Sequence, residues 1–192
     1  DIRIQAEGLG IRDRGLVDTR TLGPGSGGNI VIEVDGLDMT TGGEIVSSSE
    51  GSGGAGEVKV RAAQSVTVDG TGSEVATGLF STAIDSGDAG SVTVEVPALI
   101  LTEGGEISTA SSGAGRGGNI QLRVDTLRLV DKGPVSSESS GEGDGGTIRI
   151  RAEESFQSDT GAVTTEASKA QGGDITITAG EVRLFDGTRI SA

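Results

Sequence analysis

Few residues in this chain have chemical potential, and they are specific in kind. Glu142 and Asp144 sit two apart in the Gly-rich stretch GEGDGG, with Glu138 four residues before the first. Paired carboxylates at a fixed separation are what glycoside hydrolysis uses, and oxygen ligands of this type can also hold Ca²⁺ loosely. Hydroxyls recur at Thr19, Ser47, Ser81, Thr109, Ser137 and Thr165, and three arginines, Arg123, Arg149 and Arg151, form the one basic patch, flanked by Glu153 and Glu154.

Each of these has a bland reading that fits better. The chain has no His and no Cys, so thiol nucleophiles, disulfides, imidazole ligands and the usual His general base are all excluded. A hydroxyl nucleophile needs an adjacent base, and Lys132 is a weak substitute. Sugar-cleaving grooves stack their substrates on aromatic rings, yet the chain has no Trp, no Tyr and three Phe. The acidic stretch recurs poorly elsewhere and does not fit the GGxGxDxUx spacing of calcium-binding repeats. The carboxylates therefore read as solvated charge, the hydroxyls as structural and the arginines as a surface face, and no enzyme and no cofactor is expected.

The elements that carry these residues are set by composition and period. Thirty-five Gly in 192 residues and 2% aromatics do not fit a core built from large side chains, and disorder is opposed by the strict spacing of the apolar residues. A formal charge of −14, from 15 basic and 29 acidic residues, opposes nucleic acid as a partner. It reads as a solubility device for a long exposed surface. No apolar run approaches the roughly 18 residues of a membrane span. The first residues, DIRIQAEG, lack the basic and apolar regions of a signal peptide, so an export signal is expected outside this segment.

The stretch NIVIEVDGLDMTTGGEIVSSSEGSGGAG, residues 29–56, is one sentence of a text rewritten along the chain. Alternating strands start at Asp1, Asn29, Glu57, Ser91, Asn119, Thr147 and Asp174, giving spacings of 28, 28, 34, 28, 28 and 27. The second, fourth and sixth residues after each start count are apolar, as in Ile30, Ile32 and Val34 or Val92, Val94 and Val96, which is the period of a half-buried strand. A second short strand follows (Leu37, Met39), then a Gly42-Gly43 turn, a third alternating stretch (Ile45, Ser47, Ser49) and a Gly/Ser corner. In the repeats starting at Glu57 and Thr147 the second strand begins one residue later.

A single unit of this size cannot close its own core, so it is stable only when like strands stack above and below. The expectation is an all-β, right-handed parallel β-helix (a solenoid) of about seven coils, with three short strands per coil of roughly 28 residues. It forms one segment, residues 1–192, in repeats 1–28, 29–56, 57–90, 91–118, 119–146, 147–173 and a partial 174–192. Stacking lays Gln5, Glu33, Arg61, Glu95, Arg123, Arg151 and Thr178 in an outward column with alternating sign in the middle. It places the recurring hydroxyls in an inward column at a narrow corner, where they can hydrogen-bond along the stack.

The third repeat is six residues longer. The excess falls in a corner loop of Gly70, Thr71, Gly72, Ser73, Glu74, Val75, Ala76, Thr77 and Gly78, with Phe80 on the outward face beside it. This is the candidate interaction loop for a ligand-binding module. The structural alternative, which is favoured, is that the loop folds back to cover Phe80.

The stretches GSGGNIVIEV from Gly25, GSEVATGLFSTAIDSGDAGSVTVEV from Gly72, GRGGNIQLRV from Gly115 and GDGGTIRIRA from Gly143 carry a resemblance. They are similar to the central β-helical repeats of filamentous-haemagglutinin-like exoproteins, the adhesins exported by two-partner secretion, and most to their cyanobacterial-type surface proteins. The resemblance spans the whole chain. It implies a secreted, cell-surface location and an outer-membrane secretion partner, although the Asn-Pro motif of that family's secretion domain occurs nowhere here.

The expected function is an extracellular structural or adhesive rod, a segment of a longer surface protein or filament. Its partners would be further copies or a continuation of the same chain, joined head to tail, and host-surface or matrix glycans or proteins. Asp1 opens a repeat and Ala192 stops at its nineteenth position, with no polar capping element at either side. Exposed parallel edges of that kind invite such pairing.

Overall fold

A computed structural model describes residues 1–192 as fifteen strands and no helix. One sheet contains β1 (Ile2–Gln5), β2 (Gly8–Ile11), β4 (Ile30–Thr40), β6 (Val58–Asp69), β8 (Val92–Thr102), β10 (Ile120–Val130), β12 (Ile148–Asp159) and β14 (Ile175–Phe185). The other contains β3 (Leu16–Thr21), β5 (Glu44–Ser49), β7 (Gly78–Ala83), β9 (Glu106–Ser111), β11 (Pro134–Ser139), β13 (Ala162–Ala167) and β15 (Arg189–Ser191). Both sheets are parallel throughout and add strands in chain order, one per turn except that the first coil gives the larger sheet two, β1 and β2, both paired with β4. The fold is a parallel β-solenoid of about seven turns with a repeat of ~28 residues.

The first two alternating stretches of each coil join into one long strand from the second coil onward. Along β4, Ile30, Ile32 and Val34 are buried, then Asp35 is exposed, and burial resumes at Leu37 and Met39. The inward phase thus slips by one residue at Asp35 and Gly36, which bends the strand around a corner. Side chains define three inward faces per coil, while the backbone ladder runs through two strands. β6 and β12 have twelve residues where β4, β8 and β10 have eleven, and their register slips at this corner. A bulge there absorbs the extra residue without disturbing the faces on either side.

Stacking puts chemically like residues over each other. Ile32 pairs with Val60, Val60 with Val94, Val94 with Leu122 and Leu122 with Ile150, and all five are buried. They belong to one continuous core of 30 residues. At the last coil nothing covers the inward columns, and Val182, Leu184 and Ile190 are exposed.

The turn between the long and the short strand is tight and left-handed. Thr41 and Gly42 have φ of 48° and 78°, and Glu103 and Gly104 repeat this at 49° and 79°. In two coils the second position is not glycine: Arg14 adopts φ 63° and Lys132 φ 68°. An L-residue there strains against its own Cβ.

Candidate functional site

The narrow corner is the most regular feature of the interior. Ser47 Oγ donates to the Gly28 carbonyl at 2.9 Å and accepts the Gly56 amide at 2.9 Å. One turn on, Ser81 donates to Gly56 O at 2.9 Å and accepts Gly90 N at 3.0 Å. Ser137 repeats the pattern with Gly118 O at 2.7 Å and Gly146 N at 3.1 Å. Each hydroxyl thus ties the glycine corner of its own coil to that of the coil before. The sequence expectation of hydroxyls bonding along the stack is corrected in its detail, because their partners are backbone groups. Glycine is required opposite them by close approach: a Cβ on Gly146 would lie 1.8 Å from Gly118 O and 2.4 Å from Ser137 Oγ. With both hydrogen-bonding capacities spent on backbone, and no base beside them, these hydroxyls have no nucleophilic character.

The outward column forms the expected ladder. Arg61 bonds Glu95 at 2.8 Å and approaches Glu33 at 3.7 Å, and Arg123 bonds Glu95 from the other side at 3.0 Å. Glu33 also takes Arg3 at 2.8 Å and Gln5 at 2.6 Å. Hydrogen bonds from Arg3 and Gln5 hold the Glu33 carboxyl below its ordinary range, and the one from Arg61 does the same to Glu95. A second ladder, missed in the sequence reading, runs along the coil starts. Asp1 Oδ1 accepts the Asn29 amide at 2.7 Å, and Asn29 Oδ1 accepts the Glu57 amide at 2.8 Å. The recurrence of Asp and Asn at these starts was its only signal.

The candidate loop, residues 70–78, is ordered and lies on the preceding coil. Thr77 Oγ1 accepts the Gly42 amide at 2.9 Å, and the Gly78 amide donates to Gly43 O at 3.0 Å. Asp69 Oδ1 caps the Thr71 amide at 2.8 Å, Gly72 turns with φ 66°, and Ser73 Oγ donates to Val75 O at 2.7 Å. Ser73 and Val75 stand over Gly42, so what the loop covers is that corner. Glu74, Val75 and Ala76 remain exposed. Phe80 is half-buried, its ring laid across Gly78, where a Cβ would come within 2.9 Å of Cζ.

Two half-buried carboxyls on the outer face of the short-strand sheet depart from the ordinary range in the other direction. Burial, with Glu138 nearby, pushes Glu106 up, although Ser108 and Ser136 hydrogen-bond it. Burial, then the charge of Asp18, pushes Glu44 up.

Glu138, Glu142 and Asp144 do not converge. Glu138 points out from β11 between Ala110 and Glu166, and Glu142 and Asp144 lie exposed in the glycine corner. Asp144 Oδ1 is engaged by the Gln171 amide at 3.3 Å. No group of three acidic side chains is placed to hold a metal ion. Arg123 and Arg151 are register neighbours on β10 and β12, with Arg149 two residues before Arg151 on the same outer face. Arg151 turns away to Glu153, which it bonds at 2.6 Å. Lys132 stays exposed in its left-handed turn.

No protein-family model, no curated protein and no solved structure matches this chain.

Proposed function

We propose that the chain is a structural segment of an extracellular surface protein, serving mechanical reach and display rather than turnover. The observation that carries this reading is the unbroken stacking of both sheets from the first coil to the last. A parallel stack of this kind is stiff along its axis because every coil shares backbone hydrogen bonds with its neighbours. The acidic surface suits exposure to water. The resemblance of the GGNI-type strand starts to filamentous-haemagglutinin-like exoproteins supports a secreted, cell-surface location and an outer-membrane partner for export. Repeat stacking of this kind suits head-to-tail continuation by a further coil, from another copy or from the same polypeptide. Antibodies raised against the purified chain should label intact producing cells, and external protease should remove the signal. Labelling that appears only after lysis would end this reading.

A second reading, a ligand-binding module, is favoured by the anchored loop at residues 70–78, which keeps Val75 exposed. Deleting residues 71–76 would join Gly70 to Thr77 and restore a 28-residue coil. The rod should stay folded, by its β-sheet circular dichroism, while binding to any surface the full chain recognises is lost. Binding that survives the deletion removes the loop from consideration.

A further inference from the structure

One patch of the surface has a charge that the rest of the molecule does not prepare for. The ladder of alternating sign ends at Arg123: its neighbour toward the N-terminus is Glu95, but its neighbour on the other side is Arg151. In-register strands are ~4.8 Å apart, so two arginines succeed each other in the column where Glu33 to Arg123 alternate in sign, Arg123 turned to Glu95 and Arg151 to Glu153. Arg149 adds a third on the same face and takes part in no ion pair. Between them lies a cleft of about 240 Å³, edged by Gln121, Arg123, Arg149, Arg151, Thr176 and Thr178. None of the residues lining it is acidic, in a chain with 29 acidic residues.

The donors in this cleft are incompletely used. Arg123 gives one nitrogen to Glu95 at 3.0 Å, and Arg151 gives Nε to Glu153 at 2.6 Å. A guanidinium carries five N–H donors in a planar fork that matches a carboxylate bidentately. Gln121 and the hydroxyls of Thr176 and Thr178 supply neutral hydrogen-bonding groups around them. Glu95 and Glu153 each take one of these guanidinium groups, and an anion entering the cleft meets the N–H donors they leave free together with the unpaired Arg149. Because the guanidinium groups repeat along the stack axis, a linear polymer with regularly spaced anionic groups meets successive donors where a single small anion meets one set.

We propose that this cleft binds carboxylate groups of an acidic polysaccharide laid along the rod, with Arg149 as its central contact. This names a ligand class for the display role above, and it is tested on the purified chain so that its failure leaves the surface-exposure experiment untouched. The net charge of −14 opposes any polyanion at long range. That repulsion is screened beyond about 8 Å at physiological ionic strength, so the local patch decides there.

Binding to immobilised polygalacturonate, measured by interferometry at about 0.15 M salt, should exceed binding to neutral dextran. Arg149→Gln, at an exposed and unpaired position, should keep the melting temperature and weaken binding about tenfold, the loss of one charge-assisted contact. Arg128→Gln removes the same charge from the neighbouring coil, outside the cleft, and should change affinity less than twofold. Free galacturonate should compete far more weakly than the polymer. Binding no better than to dextran, equal losses from the two variants, equal competition by the monomer, or binding to heparin but not to polygalacturonate would each overturn the proposal.

Discussion

Arg61 donates through Nε to Glu95 at 2.8 Å, although 34 positions separate them in the chain. One coil earlier, Glu33 and Arg61 are in register at a separation of 28. The pairing therefore ignores the six extra residues of the third coil, which are passed to the corner loop, and the columns continue as if they were absent. Both partners reach water, with side-chain exposures of 47% and 27%, so the pair selects register more than it stabilises.

The ladder should make itself felt in acid. Glu33 and Glu95 are held below the ordinary carboxylate range by their arginine partners, so the folded state binds fewer protons than the unfolded one. Their contribution is present above the unfolded pKa, about 4.3, and is lost as pH falls through the folded values. Glu95→Gln should lower the melting temperature slightly at pH 7 and leave it unchanged near pH 3. An equal loss at both pH values would show that the ion pair is not the cause.

Glu106 should behave in the opposite sense. Its folded pKa is raised by burial, so the ionised form costs stability as pH rises from the unfolded value through the folded one. Glu106→Gln keeps the shape of the side chain beside the Ser108–Ser136 pair and removes the half-buried charge. The variant should melt higher than the parent at pH 7 and together with it near pH 4. A lower melting temperature at pH 7 would mean that the carboxylate is stabilising where it lies.

Ser137 tests the corner. Ser137→Ala leaves Gly146 N without its buried partner, while Gly118 O keeps the Thr109 hydroxyl, at a cost of ~1–3 kcal/mol. Ser137→Thr keeps a hydroxyl and should lose clearly less than the Ala variant, because Thr109 and Thr165 occupy the same column, each donating to the glycine carbonyl of its own coil. Chemical denaturation of both variants separates the effects; a Thr variant as damaged as the Ala variant would deny the hydroxyl its role.

Lys132 offers a stabilising change. Its φ of 68° belongs to a position where Gly42 and Gly104 stand in other coils. Lys132→Gly should relieve left-handed strain of about 1 kcal/mol, raising the denaturation midpoint. Arg14, at φ 63°, should respond in the same direction.

The architecture was legible because one period wrote it several times. Ile32, Val60, Val94, Leu122 and Ile150 could be placed in a column from spacing alone, since a slip of one residue would turn every side chain of a strand outward. The sign alternation of Glu33, Arg61, Glu95 and Arg123 was readable for the same reason. Details that depend on the third dimension were not. The bonding of Ser47 to Gly28 and Gly56 crosses the interior, where no linear spacing relates a hydroxyl to a backbone group. The packing of the loop on Gly42 follows from the path of the chain around the corner. The relation of Arg149 to Thr176 and Thr178 needed the register of the last two coils. Phe80 was placed outward correctly, and its cover turned out to be local, through Gly78.

The central claim is that coils lie in register whatever the length of the corners between them. The chain has no Cys, so pairs can be introduced without interference. In-register residues on parallel strands are ~4.8 Å apart, inside the range a disulfide spans. The pair Arg61→Cys with Glu95→Cys should form an intramolecular disulfide under mild oxidation of dilute folded protein and lose that preference in denaturant. Arg61→Cys with Ala89→Cys, which keeps a constant 28-residue spacing, should not. Cross-linking of 61 to 89 in preference to 95 would contradict the stacked account directly.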